Sequence, residues 1–403
     1  MEIPKEVAGR TVSNRGVHGV SFGHSGAWCG TEAKRTYWLN LMQSMGMSWF
    51  VLITDGDSCL TKFDGKPVVT WLLESGIIPL IRWQAPWDRV FTGADVARKL
   101  VPIYASFGLR PFFQIYNEPG DSREVVNPLP KPWWPHFIAR WNDAANQVIN
   151  AGALPGLPDG PGYDFQELHP FRDTPSGYWL DGWAWYGVHN YGKGRPLNYP
   201  YDNVSRFGTQ LTEAEYRAAL DDYADDPAWR DLPLDTINEA RRRLADPNRT
   251  VLDDDVCWRA WEKIDCHAQV ILGRSVPMAM TEGGWQPRDR AGSGTNSDLR
   301  WPLTTPRKVA ELTLAMFQAD SPLFAQCPWL LACGDMGGSG WEYDSWVTWA
   351  YEDKYGREKP VVQTLQQNPP ADNKKGRIIA LLKESQELLD KAQVLLDEIQ
   401  KNH

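Results

Sequence analysis

The chain has 403 residues, 42% of them hydrophobic, with a formal net charge of −9 at neutral pH. Such a length holds one large barrel domain or two ordinary ones and buries a sizeable core. The acidic balance argues against a nucleic-acid partner, which calls for a basic footprint, and gives no support for an anionic membrane surface.

Strand-like and helix-like stretches alternate from the start. Val17 to Phe22 reads as a short strand, and Thr31 as the cap of a helix over Glu32 to Met45 with apolar spacing at Tyr37, Trp38, Leu41 and Met45. Trp49 to Thr54 is a second buried strand, Val68 to Glu74 a short helix, and Ile77 to Trp83 a third strand. A helix over Ala94 to Phe107 leads to the fourth strand, Phe112 to Tyr116, a run of aromatic and β-branched residues that suits a buried parallel strand. A Pro/Trp-rich loop, a helix from Pro135 to about Asn150 and a weak fifth strand, Ala153 to Leu157, follow. Trp183 to His189 is the sixth strand, and Val276 to Thr281, running into Glu282, the seventh. A helix over Thr305 to Ala319 precedes the eighth strand, placed at Cys327 to Cys333.

Eight buried strands with mostly helical connections predict an α/β fold, a (β/α)₈ TIM barrel. A doubly wound open sheet is the runner-up; it needs fewer strands and usually announces itself with a glycine-rich turn after the first. The barrel is expected over 1–367, with a charged helical insertion at 212–254 before the seventh strand. A linker at 368–376 then leads to an amphipathic helix at 377–403, whose apolar stripe could self-associate or pack back on the barrel.

The 21 tryptophans exceed what a core of this size needs, and about half are expected to line a cleft with flat aromatic faces, on which sugar rings stack. The six cysteines (Cys29, Cys59, Cys257, Cys266, Cys327, Cys333) contain no C-x-x-C pair and form no disulfide framework, leaving the redox compartment open. No apolar run reaches the ~18 residues of a membrane span, and the opening MEIPKEVAGR has no apolar leader core. The sequence therefore predicts a cytoplasmic or virion-associated protein, unless a leader has been removed.

Collecting the strand ends gives one ring of residues, where barrel enzymes place their chemistry. They are His24 after strand one, Asp55 and Asp57 after strand two, and Arg82 and Trp83 on strand three. Asn117 and Glu118 follow strand four, and His189 and Tyr191 strand six. Glu282 and Trp285 follow strand seven, and Asp335 and Trp341 strand eight. A lone Glu after a strand is as often a solvated loop residue. Two, behind apolar strands on opposite sides of one barrel mouth, are what glycoside cleavage requires: one acid for the leaving oxygen and one carboxylate for the anomeric carbon or its water.

This pattern resembles the clan A glycoside hydrolases, retaining glycosidases on (β/α)₈ barrels. Their signatures are Asn-Glu ending strand four, His-x-Tyr on strand six and Glu ending strand seven; here they read Asn117-Glu118, His189-Asn190-Tyr191 and Glu282. The resemblance spans about Val17 to Trp341. It implies a carbohydrate substrate, no cofactor and no metal, with Glu118 as acid/base and Glu282 as nucleophile. Asn117 would hold the sugar 2-hydroxyl, Tyr191 would hydrogen-bond Glu282, and His189 would line the subsite beside them. The chain departs from the pattern in two places. Strand two ends in Thr54-Asp55-Gly56-Asp57 where many members carry Arg, with Arg82 a candidate substitute, and a Trp ending strand eight is missing, Trp329 lying too early and Trp341 after a glycine-rich loop.

Other readings have less behind them. Gly23-His24-Ser25-Gly26-Ala27 nearly matches a nucleophile elbow and would make Ser25 a serine nucleophile, but it follows the first strand and lacks the last Gly. Gly334 to Gly340 could cradle a phosphate, yet no Lys follows it, and His18 and His24 are not spaced as a metal pair. A catalytically silent carbohydrate-binding or virion-associated barrel is the non-enzyme alternative, and two intact carboxylates argue against it.

Overall fold

The computed structural model describes residues 1–19, 31–159, 169–221, 233–285, 298–301, 304–332, 344–348 and 358–370. Eight parallel strands form one sheet in chain order: β1 Gly16–Gly19, β2 Trp49–Thr54, β3 Ile78–Trp83, β4 Phe112–Ile115, β5 Leu154–Pro158, β6 Trp185–Tyr191, β7 Met278–Gly284 and β8 Leu323–Gln326. The two ends of the sheet meet. Arg15 bridges Gln326 and His18 bridges Trp329, both in parallel, Gln326 N donates to Asn14 O at 2.8 Å, and Leu331 N donates to His18 O at 2.9 Å. The sheet is thus a closed (β/α)₈ barrel, and the open doubly wound alternative falls away.

Helices α1 Glu32–Ser44, α2 Val68–Glu74, α3 Gly93–Ala105 and α4 Trp134–Ala151 follow β1 to β4 in turn. Their ends obey local rules: the Thr31 hydroxyl caps α1 on Lys34 N, and α4 starts with Pro at its first turn and stops at Gly152 in the left-handed region. After β5 come two short helices, α5 Pro170–Asp173 and α6 Ser176–Leu180. The long excursion after β6 contains α7 Asn203–Phe207, α8 Glu213–Asp221 and α9 Leu234–Arg243 before α10 Trp261–Leu272 returns the chain to β7. The remaining helices among the described residues are α11 Pro306–Gln318, before β8, and α12 Pro360–Gln367. The chain beyond α12 stays tied to the barrel as far as it is described, since Arg15 Nη2 donates to Asn368 O at 2.6 Å. The expected helix at 377–403 lies outside the described residues.

The eighth strand needs correcting. It is Leu323–Gln326, and the apolar run from Cys327 follows it. That run is buried because it continues in extended form between β7 and β1, with Cys327 N donating to Met280 O (2.8 Å), Trp329 N to Gly283 O (2.9 Å) and His18 N to Pro328 O (3.1 Å). Burial alone cannot separate a strand from such a continuation.

At least twelve of the 21 tryptophans (Trp38, Trp49, Trp83, Trp87, Trp134, Trp141, Trp179, Trp185, Trp258, Trp285, Trp329 and Trp346) are buried, in line with the half expected to build the body of the protein. What makes this affordable is that many of the indole N–H groups, though not that of Trp83, find acceptors: Trp49 on Ser13 O, Trp141 on Gly156 O, Trp185 on Leu154 O and Trp258 on Gln326 Oε1. Four rings from the alternate strands, Trp49 of β2, Phe112 of β4, Trp185 of β6 and Phe324 of β8, meet at centroid distances of 5.2 to 6.4 Å. They fill the start of the barrel as one layer and leave the other end for polar groups.

Phe112→Ala should cost about 3–5 kcal/mol in urea unfolding, because the other three rings cannot collapse into the space. Val90→Ala, at an 80% exposed position, should stay within about 0.5 kcal/mol of the wild type.

Candidate active site

Side chains alternate along β3, so Arg82 points into the barrel and Trp83 outward. Trp83 stacks on Phe113 (6.2 Å between centroids) and packs edge-on against Phe91 (6.1 Å), in the layer between sheet and helices. Arg82 crosses the barrel to β7, where its Nη1 donates to Glu282 Oε2 at 2.8 Å and its Nη2 to Thr281 O at 2.9 Å.

Glu282 is aimed by an irregularity. Val188 pairs with Met280 but His189 with Glu282, so Thr281 is an extra residue in β7 and the following side chain is re-directed. The next residue, Gly283, has φ of +134°, and a Cβ there would lie 2.4 Å from Asn190 O. Only glycine fits. On the facing strand Tyr191 OH donates to Glu282 Oε1, so both carboxylate oxygens are occupied.

Glu118 arrives from β4 through another uncommon conformation. Tyr116 takes φ of +71°, a left-handed value that costs a bulky residue on the order of 1–3 kcal/mol, and its ring is held against Phe91 and Phe137. The chain then turns Asn117 and Glu118 toward the mouth. His189 Nδ1 lies 3.0 Å from Glu118 Oε1, and its Nε2 lies 4.0 Å from Glu282 Oε2, so one imidazole spans both carboxylates. Arg123 Nη2 stands 3.9 Å from Glu118 Oε2.

The electrostatics follow from these contacts. Burial alone would push the Glu282 carboxyl up, but the charges of His189 and Arg82 and the Tyr191 hydroxyl outweigh it and hold the group at about 2. Burial disfavours a charged His189, yet Glu282 and Glu118 prevail and raise its pKa above the ordinary value. Burial, and secondarily the charge on Glu282, push the Tyr191 hydroxyl well above the usual tyrosine range, so it stays a donor.

The structure therefore brings together Glu118, Glu282, His189, Tyr191, Arg82 and Asn117. It places Trp83 behind the strands. Trp285 is 1% exposed, with its N–H donated to Arg195 O at 2.7 Å, so it offers no open indole face. Asp55 is exposed just past β2. His24, Ser25 and Trp341 lie outside the described residues. Two groups were missed by sequence reasoning, and a third was set aside. His18 of β1 is fully buried with its Nε2 4.0 Å from Glu282 Oε2; burial, with Arg82 adding, holds its pKa well below normal. A His inside an apolar strand was the available signal. Glu124 binds Asn117, and nothing local in sequence marks it. Trp329, set aside as too early, follows the corrected β8 and packs on His18 at 4.7 Å.

One oxygen each of Glu118 and Glu282 and a nitrogen of His189 lie within 4.8 Å of one another, a spacing that could hold a metal ion. Arg82 argues against it, because its guanidinium already neutralises the carboxylate that such a cation would need.

No family model matches the chain, and no curated protein matches it. Among solved structures it is similar to a glycoside hydrolase family 5 lichenase from Caldicellulosiruptor sp. F32, at 12% identity over 92% of this chain and 100% of that one, with a TM-score of 0.44. It is similar to an endoglucanase from Thermotoga maritima at 11% identity, covering 87% and 96% with a TM-score of 0.43. A family 51 α-L-arabinofuranosidase from Bifidobacterium longum matches at 10% identity, covering 82% and 68%, also with a TM-score of 0.43.

Because the folded pKa of Glu282, about 2, lies below the ~4.3 of an unfolded glutamate, its stabilising contribution is complete above pH ~4.3 and is lost as pH falls toward 2. The stability gap between wild type and Glu282→Gln should accordingly narrow by about 2 kcal/mol between pH 5 and pH 3 in urea melts. A gap that stays constant over that range contradicts a depressed Glu282.

Proposed function

We propose that the protein is a retaining glycoside hydrolase that cleaves O-glycosidic bonds of an oligo- or polysaccharide by double displacement. The observation that carries this reading is the carboxylate pair at the mouth of one barrel, with oxygens of Glu118 and Glu282 within 4.8 Å and unlike surroundings. That proximity favours direct attack over the ~6.5–9.5 Å carboxyl separation that leaves room for a water.

Glu282 is ionised and fixed by Arg82 and Tyr191, as a nucleophile must be. Glu118 keeps one side open and touches His189, the arrangement of a group that exchanges protons with a leaving oxygen and then with water. In the first step Glu118 gives its proton to the glycosidic oxygen while Glu282 forms an ester at the anomeric carbon, and the aglycone leaves. In the second, Glu118 takes a proton from water, which attacks the same carbon and releases Glu282. Bonding to the ester draws charge off Glu282, and Arg82 and Tyr191 then help it leave as a carboxylate.

Proton NMR of the first-formed product should show the anomeric configuration of the substrate; an inverted product removes Glu282 as nucleophile. Glu282→Ala should lose nearly all turnover and regain it with azide, giving a glycosyl azide of inverted configuration. Glu118→Ala should slow natural substrates by about 10²–10⁴-fold and spare aryl glycosides with activated leaving groups, which need no protonation.

A further inference from the structure

The two strands that carry Tyr191 and Glu282 run out into a turn that is held at both of its ends. Gly192 N donates to Gly284 O at 2.7 Å, one rung beyond the pairing of Tyr191 with Gly284, and Arg195 N donates back to Gly192 O at 2.9 Å. Between them Lys193 takes φ of +48° and Gly194 φ of +74°. A lysine keeps that left-handed value only where its surroundings over-determine it. Part of that hold is Trp285, whose indole lies so close on Gly192 that a Cβ there would collide with it. The same indole donates to Arg195 O at 2.7 Å.

The rest of the hold is the Arg195 guanidinium. Its Nη1 donates to Asp254 Oδ1 at 3.0 Å and to Val256 O, both at the end of the excursion after β6, and its Nη2 lies 3.2 Å from Asp298 Oδ2, beyond β7. Tyr199 OH donates to Asp254 Oδ2 at 2.6 Å and accepts from Arg300 Nη2 at 3.2 Å. The same Arg300 nitrogen donates to Asp298 Oδ2 at 2.6 Å, which closes a ring of five side chains, two cations against two anions and a phenol. With Arg195 and Asp298 only 11% and 10% exposed, salt screens their contact little. Burial lowers the Arg195 pKa, but Asp254, Tyr199 and Asp298 outweigh it and raise it, so the guanidinium stays charged.

We propose that Arg195 is a positioning residue that keeps the Tyr191 phenol on Glu282 by locking the ends of β6 and β7 together. Strand ends open first, because fewer contacts hold them than hold the middle of a sheet. Here Arg195, four residues after Tyr191, is tied to Trp285, three residues after Glu282, so neither strand end moves without the other. The phenol reaches Glu282 diagonally across the same two strands, since Tyr191 pairs with Gly284 and Glu282 with His189. A shift of the β6 end against β7 therefore draws the phenol off Glu282 Oε1. Among the described residues Arg195 forms no bond to Glu118 or Glu282, so its influence passes through the strand ends.

The test has two arms on the full chain. In ¹³C spectra of protein labelled at tyrosine Cζ, the Tyr191 signal is assigned by its loss in Tyr191→Phe, and Glu282→Ala gives its position with no carboxylate to donate to. In Arg195→Lys, which keeps the charge but not the fork, that signal should move toward the Glu282→Ala position, while Phe112→Ala, which loosens the far end of the barrel, should leave it in place. A Tyr191 signal that ignores Arg195→Lys, or that Phe112→Ala moves equally, overturns the proposal whether or not any sugar is cleaved.

The kinetic arm rests on the glycosidase reading and uses a double-mutant cycle on an aryl glycoside. Arg195→Lys should lower kcat/KM about tenfold in the wild type, the worth of one hydrogen bond, and by less than about twofold when Tyr191→Phe has already removed the phenol. An equal fall in both backgrounds overturns the proposal. If Arg195→Lys does not fold, Trp285→Phe carries the same expectations, because it leaves the ring of five whole and removes only the indole N–H from Arg195 O. A wild type that cleaves no glycoside removes the glycosidase reading and leaves the spectra to decide the role of Arg195.

Discussion

The contact on which the site depends is the ion pair between Arg82 and Glu282, 2.8 Å long and almost out of reach of water. Burying two charges is expensive, and a buried pair is tolerated only where further hydrogen bonds complete it. Here Thr281 O takes the second Arg82 nitrogen and Tyr191 takes the second Glu282 oxygen. The pair also spans the barrel from β3 to β7, so it exists only if the sheet closes and keeps its register. Removing either partner alone strands a buried charge, at a cost of about 3–5 kcal/mol.

Around that pair the protein solves a second problem, holding another carboxylate close by. Two like charges a few ångströms apart repel unless something separates their environments. Glu282 receives the buried guanidinium and the phenol, and Glu118 receives the imidazole that both share and the exposed Arg123 at 3.9 Å. The backbone devices that create this difference sit next to the residues concerned: the extra residue Thr281, the left-handed Gly283, and Tyr116 at φ of +71°. Each is locally unfavourable or restrictive, and each is held in place by a rigid strand or a buried ring, the usual place for strain that serves a site.

The opposite end of the barrel explains why such strain is affordable. The aromatic layer of Trp49, Phe112, Trp185 and Phe324 contains no unpaired polar group and fixes four strands at once. With that end packed, polar side chains can be concentrated at the other, where Arg82 and Glu282 would be intolerable in a core without their mutual pairing.

The sequence by itself determined the strands, the barrel and the two carboxylates. Buried parallel strands are local apolar runs, and Asn117-Glu118, His189-Asn190-Tyr191 and Glu282 follow such runs directly, so their places at the mouth could be read along the chain. It did not determine which side chains meet. Arg82 and Trp83 are adjacent, and only the pleat decides that one enters the site and the other packs behind it. Trp285 looked like a sugar platform from its position after β7, but its indole is spent on Arg195 O. The start of β8 was misplaced because the extended run that continues it between β7 and β1 is as apolar as a strand. His18 and Glu124 became part of the site only when closure and a loop turn brought them to Glu282 and Asn117. Composition and periodicity describe local pattern, whereas these contacts depend on register, bulge, closure and a loop turn, most of them joining residues far apart in the chain, and only tertiary structure sets those.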